Sequence, residues 1–473
     1  MIKVETASLF GPGIDNSVQG NMSVAKLLGK RTHQMPGRLN VSELFFEVPK
    51  DHSKPQNGSL RVFARSVERF EKPVDASKEE VKQPPWFLYL QGGPGLPCKS
   101  PQSYAWTNIV LDKGYRILFL DQRGTGLSST ITARTLASEG GPGHQANLLK
   151  NFRADSIVKD CEAIRKTLTA DYPVEKKKWS IMGQSFGGFC AVNYLSRFPE
   201  ALREVFTAGG LPPLVRDPFL VYHRLFRKVK QRNTVYYQKY FEDIHRVKDI
   251  VRYIQKEEIK LPSGGKLSVL RLRQLGMLFG FHGYMDSVHE MITRFTSDLN
   301  QFGFFTRPTL TAFDAMIPFD TVPLYALLHE PIYAQGKAPG WAADRIMALS
   351  PEFNRVLVDG PEPILFTGEM IFRDMFKDFD ELRGLLDTAD CLANTQDWPE
   401  LYDEAQLAKN EVPVYSATYV EDMYVDFDFA RDTASKIKGC KTFVTNVLYH
   451  DALVNKTDEL MKQLFALRDD TMD

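Results

Sequence analysis

The apolar positions of this chain change period along its length. From Val41 they alternate: Glu43 to Val48 does so in part, Leu60 to Val67 reads as its hairpin partner, and Asp51 to Gly58, with Pro55 and Asn57-Gly58, supplies the connection. Lys72 to Gln83 is charged and reads as a loop. Unbroken apolar runs follow at Trp86-Phe87-Leu88-Tyr89-Leu90 and at Tyr115 to Leu120, the composition of strands buried on both faces. Helical spacing appears from Asp155 through Leu168, where Ile157, Val158, Cys161, Ile164 and Leu168 share a face. Two further strands are predicted, one ending at Gly183 and one over Glu204 to Ala208, with a helix from Ser185 to Pro199 between them. Strands alternating with helices, several of the strands ending in glycine-rich loops, predict a mostly parallel α/β sheet whose site lies at the strands' C-terminal ends.

That alternation stops near Gly210. From Leu211 to about Tyr402 the spacing is helical, in Phe219 to Val229, Val235 to Ile254, Val269 to Phe279 and Tyr284 to Phe295. It resumes with a strand over Val412 to Val420, a helical segment around Phe429 to Ile437, a last strand over Lys441 to Leu448 and a closing helix from Lys456 to Leu467. The expected organisation is therefore a core in two pieces, residues 1–210 and 403–473, with a helical cap inserted at residues 211–402 and covering the site. The cluster Arg224, Arg227, Lys228, Lys230 and Arg232 reads as the wet face of an amphipathic helix.

Composition narrows the class. The 473 residues are 43% hydrophobic and 12% aromatic, enough for a large core, and 59 basic residues balance 59 acidic ones. The whole-chain field thus attracts neither nucleic acid nor an anionic membrane, and partners of both kinds are excluded. No stretch approaches the length of a membrane span, and Met1 to Arg38 lacks the basic start and apolar run of a secretory signal, so a cytoplasmic protein is expected. Five scattered cysteines, Cys98, Cys161, Cys190, Cys391 and Cys440, without Cys-x-x-Cys spacing, read as buried free thiols, neither disulfides nor a zinc site. Cys98 and Cys190 lie close in sequence to the segments that matter most below, which makes inhibition by thiol reagents an expectation. Association of the chain with itself as a homo-oligomer is left open.

The chemistry centres on Gly183-Gln184-Ser185-Phe186-Gly187. A strand, a turn crowded around one serine and an immediate helix form a nucleophile elbow, which exposes the hydroxyl above the sheet with the helix N-terminus behind it. A serine hydroxyl needs a base, and the base needs an acid; in this arrangement they follow in the order Ser, Asp or Glu, His. Of nine histidines only His450 lies after the resumed strand, just beyond the last one, which makes it the base. The acid belongs on the loop after the Val412 strand, where Glu421 and Asp422 are nearest the strand end and the pattern does not separate them. Asp426 and Asp428 read as caps of the next helix. An oxyanion requires two N–H donors: Phe186, directly after the serine, and one from Gln91-Gly92-Gly93-Pro94-Gly95, with Gly93 preferred and Gly92 in reserve because Pro94 has no N–H.

Three segments in order, Leu90-Gln91-Gly92-Gly93-Pro94-Gly95, Asp121-Gln122-Arg123-Gly124-x-Gly126-x-Ser128 and Gly183-Gln184-Ser185-Phe186-Gly187-Gly188, resemble the prolyl aminopeptidases, or proline iminopeptidases. The likeness extends through the insertion to His450. It implies an α/β-hydrolase fold with a helical cap and a serine peptidase that releases an N-terminal proline through an acyl-enzyme, with a peptide bearing a free N-terminal proline as substrate and neither metal nor organic cofactor. The resemblance also implies Ser185 as nucleophile, Asp422 as acid and His450 as base, with Asp121 and Arg123 as organisers of their loop. Acidic cap residues would bind the substrate's amino group: Glu330, in Leu328-His329-Glu330-Pro331-Ile332-Tyr333, is the first candidate and Glu369, in Thr367-Gly368-Glu369-Met370, the second. Tyr333, Phe366, Phe372 and Phe376 are candidates for walling an apolar pocket. Gln91 and Phe186 stand where the family commonly has His and Trp. The alternative reading is a broader carboxylesterase or amide hydrolase with the same triad, which Glu330 would discriminate, since an esterase has no ammonium to bind.

Overall fold

Nine strands make one sheet in the computed structural model, which describes residues 24–70 and 83–470. Most of the predicted loop at Lys72–Gln83, and the first 23 residues, lie outside that description. The order is β1-β2-β3-β5-β4-β6-β7-β8-β9, comprising β1 (Lys26–Met35), β2 (Leu39–Pro49), β3 (Ser59–Arg69), β4 (Trp86–Leu90), β5 (Arg116–Asp121), β6 (Trp179–Gln184), β7 (Leu202–Ala208), β8 (Val414–Tyr419) and β9 (Cys440–Thr445). β1 to β3 meander antiparallel onto β5, and every pair from β5 to β9 is parallel. The hairpin β2–β3 pairs Phe45 with Phe63, in the region where alternation predicts it. β1 escapes the sequence pattern because it is an edge strand with mostly exposed side chains and so carries no alternating apolar face.

The central strands bury both faces, as their unbroken apolar runs require. Leu88, Leu118 and Ile181 face a core closed by the helices Ala154–Leu168 and Phe186–Arg197, while Phe87, Phe119, Met182 and Phe206 face a second core closed by Trp106–Asp112 and Thr457–Asp469. The strand order reverses at β4, whose successors β5 and β6 lie on its opposite sides, and such a switch point is where parallel sheets place their sites, at the C-terminal ends of the strands.

Between β7 and β8 the described chain is helical apart from one isolated bridge, Lys260 with Lys266. Its first helix, Pro218–Lys239, is continuous where the sequence pattern suggests two. The break in that pattern comes from buried polar residues: Asn233 is satisfied by Val229 O and by both backbone groups of Phe366, and Arg232 donates to Phe279 O. Arg232 is therefore buried rather than part of a wet face; Arg224, Lys228 and Lys230 do pair at the surface, with Asp428, Glu421 and Glu352. The buried Arg153 guanidinium ties the helical stretch between β7 and β8 to the segment before β6 through the carbonyls of Pro331 (3.0 Å) and Pro399 (2.9 Å). No helix among the described residues is long and apolar enough to cross a membrane.

Candidate active site

Ser185 sits between β6 and the helix Phe186–Arg197 with φ 55° and ψ −127°, one of three non-glycine residues with positive φ among those described. Such a conformation is costly for a residue with a side chain and persists only where its surroundings over-determine it. They do so here: Ser185 N–H is held by Ala208 O, and a Cβ on Gly187 would come within 1.9 Å of Leu90 O, so the helix reaches the sheet only with glycine there. The loop after β4 lies directly against the serine, since a Cβ on Gly92 would stand 2.9 Å from Ser185 Cβ. No acceptor among the described residues takes the N–H of Gly93 or of Phe186.

His450 follows β9 and is buried. Its Nδ1 lies 2.7 Å from Asp422 Oδ2, and Asp422 Oδ1 accepts the N–H groups of Tyr424 (2.8 Å) and Val425 (2.9 Å). Two backbone donors thereby fix the carboxylate's plane and leave Oδ2 for the imidazole. The loop alternatives resolve on this geometry: Glu421 turns outward to Lys228 and Asp426 caps its helix through Phe429 N–H, while Asp428 does not cap but pairs with Arg224. The imidazole is brought to the elbow by two approaches. Gln184 Nε2 reaches His450 O at 3.4 Å, and a Cβ on Gly209, next to the residue that holds Ser185 N–H, would lie 3.1 Å from His450 Nδ1. Tyr424 packs on the imidazole with ring centroids 4.6 Å apart, and Phe281 stacks on Tyr424.

Burial alone would lower His450, but the adjacent Asp422 charge and hydrogen bond, followed by the charges of Glu369 and Asp451, more than offset it and push it above its ordinary 6.5. A base must be neutral to accept a proton, so with His450 in the role the sequence reading expects, the acid limb of kcat/KM is expected on the alkaline side of 6.5, with activity falling as pH drops through it. A pH–rate profile checks this; a limb centred below about pH 6 would contradict it.

The surrounding loops are organised by Asp121 and Arg123. Asp121 accepts the N–H groups of Cys98 and Leu127, both at 2.9 Å, while buried Arg123 pairs with Asp160 and donates to the carbonyls of Lys50 and Asn151. Gln91 is held by the hydroxyls of Tyr89 and Tyr104, each 3.0 Å from its Oε1. Cys98 and Cys190 are buried and their thiols are pushed well up by burial, which weakens the basis for inhibition by thiol reagents.

The two carboxylates expected to bind the amine occupy different settings. Glu330 Oε1 accepts Ala343 N–H (2.9 Å) at the start of the helix Ala342–Leu349, and its buried Oε2 has no partner among the described residues. It lines a cavity of about 10 Å³ with Leu327, Trp341 and Leu392. Burial pushes its carboxyl up to about 7. Glu369 instead accepts from the Tyr325 hydroxyl, lies 3.4 Å from His329 Nε2, and is close enough to raise His450 by its charge. Glu369 thus reaches the imidazole with its charge, while Glu330 is engaged at the start of the helix Ala342–Leu349. Among the aromatics, Phe366 packs on Tyr236 and Phe279 and Phe376 on Trp341, inside the core, whereas Tyr333 packs on Phe189 and feels the charges of Glu369 and Asp422.

Glu330 carries a consequence for stability. Its folded value near 7 lies above the ordinary 4.5, so the native state binds the extra proton and stability falls as pH rises from about 4.5 through 7, by about 3 kcal/mol in all. Glu330→Gln keeps the acceptor for Ala343 N–H and is expected to flatten this fall, becoming the more stable protein above pH 7. Urea midpoints measured across that range check it; parallel curves for both proteins would contradict it.

A sequence profile of the alpha/beta hydrolase fold matches residues 85–255. Proline iminopeptidase aneH of Aspergillus aculeatus is 50% identical over 457 residues, 97% of this chain and 100% of that protein. A proline iminopeptidase of Aeromonas sobria is 38% identical over 441 residues, covering 93% and 99% of the two chains. The chain belongs to the proline iminopeptidase family. Among solved structures, 2-hydroxy-6-oxo-6-phenylhexa-2,4-dienoate hydrolase from Rhodococcus aligns at a TM-score of 0.40 and 14% identity, over 91% of this chain and 100% of that one.

Within this family member, the sequence pattern leads to the elbow, to His450 and to two neighbouring acids. It does not lead to Tyr222, Phe281, Tyr325, His329 or Tyr424, which complete the surroundings of His450 and Glu369. The one signal for them is the four-residue spacing of Tyr325 and His329, whose rings stack 5.3 Å apart.

Proposed function

We propose that this chain is a serine aminopeptidase that releases an N-terminal proline from peptides through an acyl-enzyme. The observation that carries the reading is the His450–Asp422 pair at 2.7 Å beside the strained Ser185 elbow, with the Glu369 carboxylate near enough for its charge to reach the same imidazole. Ser185 Oγ attacks the prolyl carbonyl as His450 Nε2 takes its proton, and Asp422 holds Nδ1–H and steadies the resulting cation. The free N–H groups of Phe186 and Gly93 receive the oxyanion, with Gly92 as the alternative donor. His450 then returns the proton to the leaving amine, and water admitted to the acyl-enzyme completes the cycle by the same steps.

An exopeptidase also needs a group that fixes how far the substrate enters. Glu369 is suited to pair with the proline's ammonium next to the reacting centre, while Glu330 supports the helix Ala342–Leu349 and the cap. In this reading residues 211–402 form the cap and residues 1–210 and 403–473 the hydrolase core. The five cysteines without a disulfide partner fit a reducing, cytoplasmic setting.

Rates on a panel of prolyl, alanyl and leucyl anilides and a nitrophenyl ester test the reading. Prolyl anilide is expected to be the preferred substrate. Efficient ester cleavage with no preference among the anilides would favour the broader esterase instead.

A further inference from the structure

Asp422 and His450 sit on two loops, one after β8 and one after β9, and a single short stretch of chain, residues 277–282, touches both. Met277 O accepts the Tyr424 hydroxyl at 2.5 Å, a Cβ on Gly280 would overlap the Tyr424 ring, and Phe281 stacks on that ring with centroids 4.9 Å apart. Tyr424 in turn donates its N–H to Asp422 Oδ1 and packs on His450. On the other loop, the carboxylate of Asp451, next to His450 in the chain, accepts the His282 N–H at 3.2 Å and lies 2.6 Å from His282 Nδ1.

An ionised carboxylate only accepts, so His282 Nδ1 carries its hydrogen and donates it. Of the side chains bonded to Asp451 among the described residues, Asn455 belongs to the same loop and its short helix, and His282 comes from outside it. Both partners are largely withdrawn from solvent, with 16% and 13% of their side chains exposed, where a charge-assisted bond is little screened. The stretch is itself anchored. The buried Arg232 guanidinium donates to Phe279 O at 2.9 Å and lies over the Tyr449 ring, which meets the His282 ring edge-on with centroids 4.9 Å apart.

We propose that His282 is a positioning residue for catalysis: by holding Asp451 it keeps the His450 loop in register with the Asp422 loop, so the helical stretch between β7 and β8 completes the support of the triad. A displacement of about 1 Å at a reacting group costs on the order of 100-fold in rate, and the imidazole cannot stay in place if the residue after it shifts. The inference rests on the reading of His450 as the base. Because the charge of Asp451 also acts on His450 directly, the decisive variants remove the donor and keep the carboxylate.

His282→Phe keeps a ring and removes the Nδ1 donor, whereas His282→Asn keeps an N–H donor near the Nδ1 position. Their kcat and KM for prolyl anilide and for a nitrophenyl ester, read on the pH plateau above the acid limb and beside melting curves, test the proposal. In His282→Phe kcat is expected to fall on the order of tenfold to a hundredfold for both substrates, with KM within about threefold of wild type, and His282→Asn is expected to recover most of that loss. His282→Leu takes its place if the phenylalanine variant does not fold. Asp451→Ala and the double variant complete a cycle: if the two residues act through one contact, the double variant loses no more than the worse single one. A folded His282→Phe with kcat within about twofold of wild type, a loss confined to KM, or losses that multiply with that of Asp451→Ala would overturn the inference. His450→Ala, measured alongside, separates the two claims. Near wild-type activity there removes His450 as the base and the inference with it, whereas an inactive His450→Ala beside an unaffected His282→Phe overturns the inference alone.

Discussion

Ser185→Ala is expected to lower kcat on prolyl anilide by roughly 10⁶-fold while KM changes little. The size follows from the role: without Oγ there is no acyl-enzyme, and the oxyanion donors and the His450–Asp422 pair are left to assist direct attack by water. The loss should not be one of folding. The elbow's backbone is set by Ala208 O on Ser185 N–H and by the contact of Gly187 with Leu90, neither of which involves the hydroxyl. Thermal unfolding of the variant is therefore expected within a degree or two of wild type, since surface-type changes that break no buried contact cost about 0.5 kcal/mol or less. Steady-state kinetics alongside a melting curve separate the two effects. Activity within tenfold of wild type in a folded variant would remove Ser185 from the mechanism.

The second large effect belongs to Glu369→Gln. Removing one partner of a desolvated charge pair typically costs about 2 to 5 kcal/mol, or roughly 30- to 5,000-fold in kcat/KM for a substrate with a free amine. Nitrophenyl ester hydrolysis, which presents no ammonium, is expected to change far less. The same variant removes one of the charges that raise His450, so the acid limb of the ester reaction should move toward lower pH. An equal loss on amine and ester substrates would mean that Glu369 serves the catalytic pair and does not recognise the amine. Glu330→Gln offers a contrast: its carboxylate is engaged by Ala343 N–H, and its expected effect is on stability.

The sequence made the core legible wherever one local rule was enough. Apolar runs buried on both faces marked β4 and β5, and glycine on either side of a serine between a strand and a helix marked the elbow. The order of triad residues singled out His450 among nine histidines. Where two answers satisfied the same rule, only packing separated them: Glu421 and Asp422 are neighbours on one loop, yet one faces Lys228 in solvent and the other a buried imidazole. The helical region between β7 and β8 was harder to read because its polar contacts join distant segments. His329 is adjacent to Glu330 in sequence but touches Glu369, forty residues on, and Tyr222, more than a hundred residues back. Polar residues that are buried and satisfied, such as Arg232 and Asn233, imitate a solvent face and hide the continuity of the helix that carries them. The edge strand β1 was hidden for the opposite reason, having almost no buried face to show.

The comparison that bears most directly on the central claim is the rate of cleavage of prolyl anilide against N-acetylprolyl anilide by the same enzyme preparation, with Ser185→Ala as the blank. Acetylation leaves the scissile bond and the pyrrolidine ring in place and removes only the positive charge. A serine aminopeptidase that reads its substrate through Glu369 is expected to cleave the free amine and to leave the acetylated compound at the rate of the blank. Equal, Ser185-dependent cleavage of both would contradict the account, because the amine would then have no part in recognition.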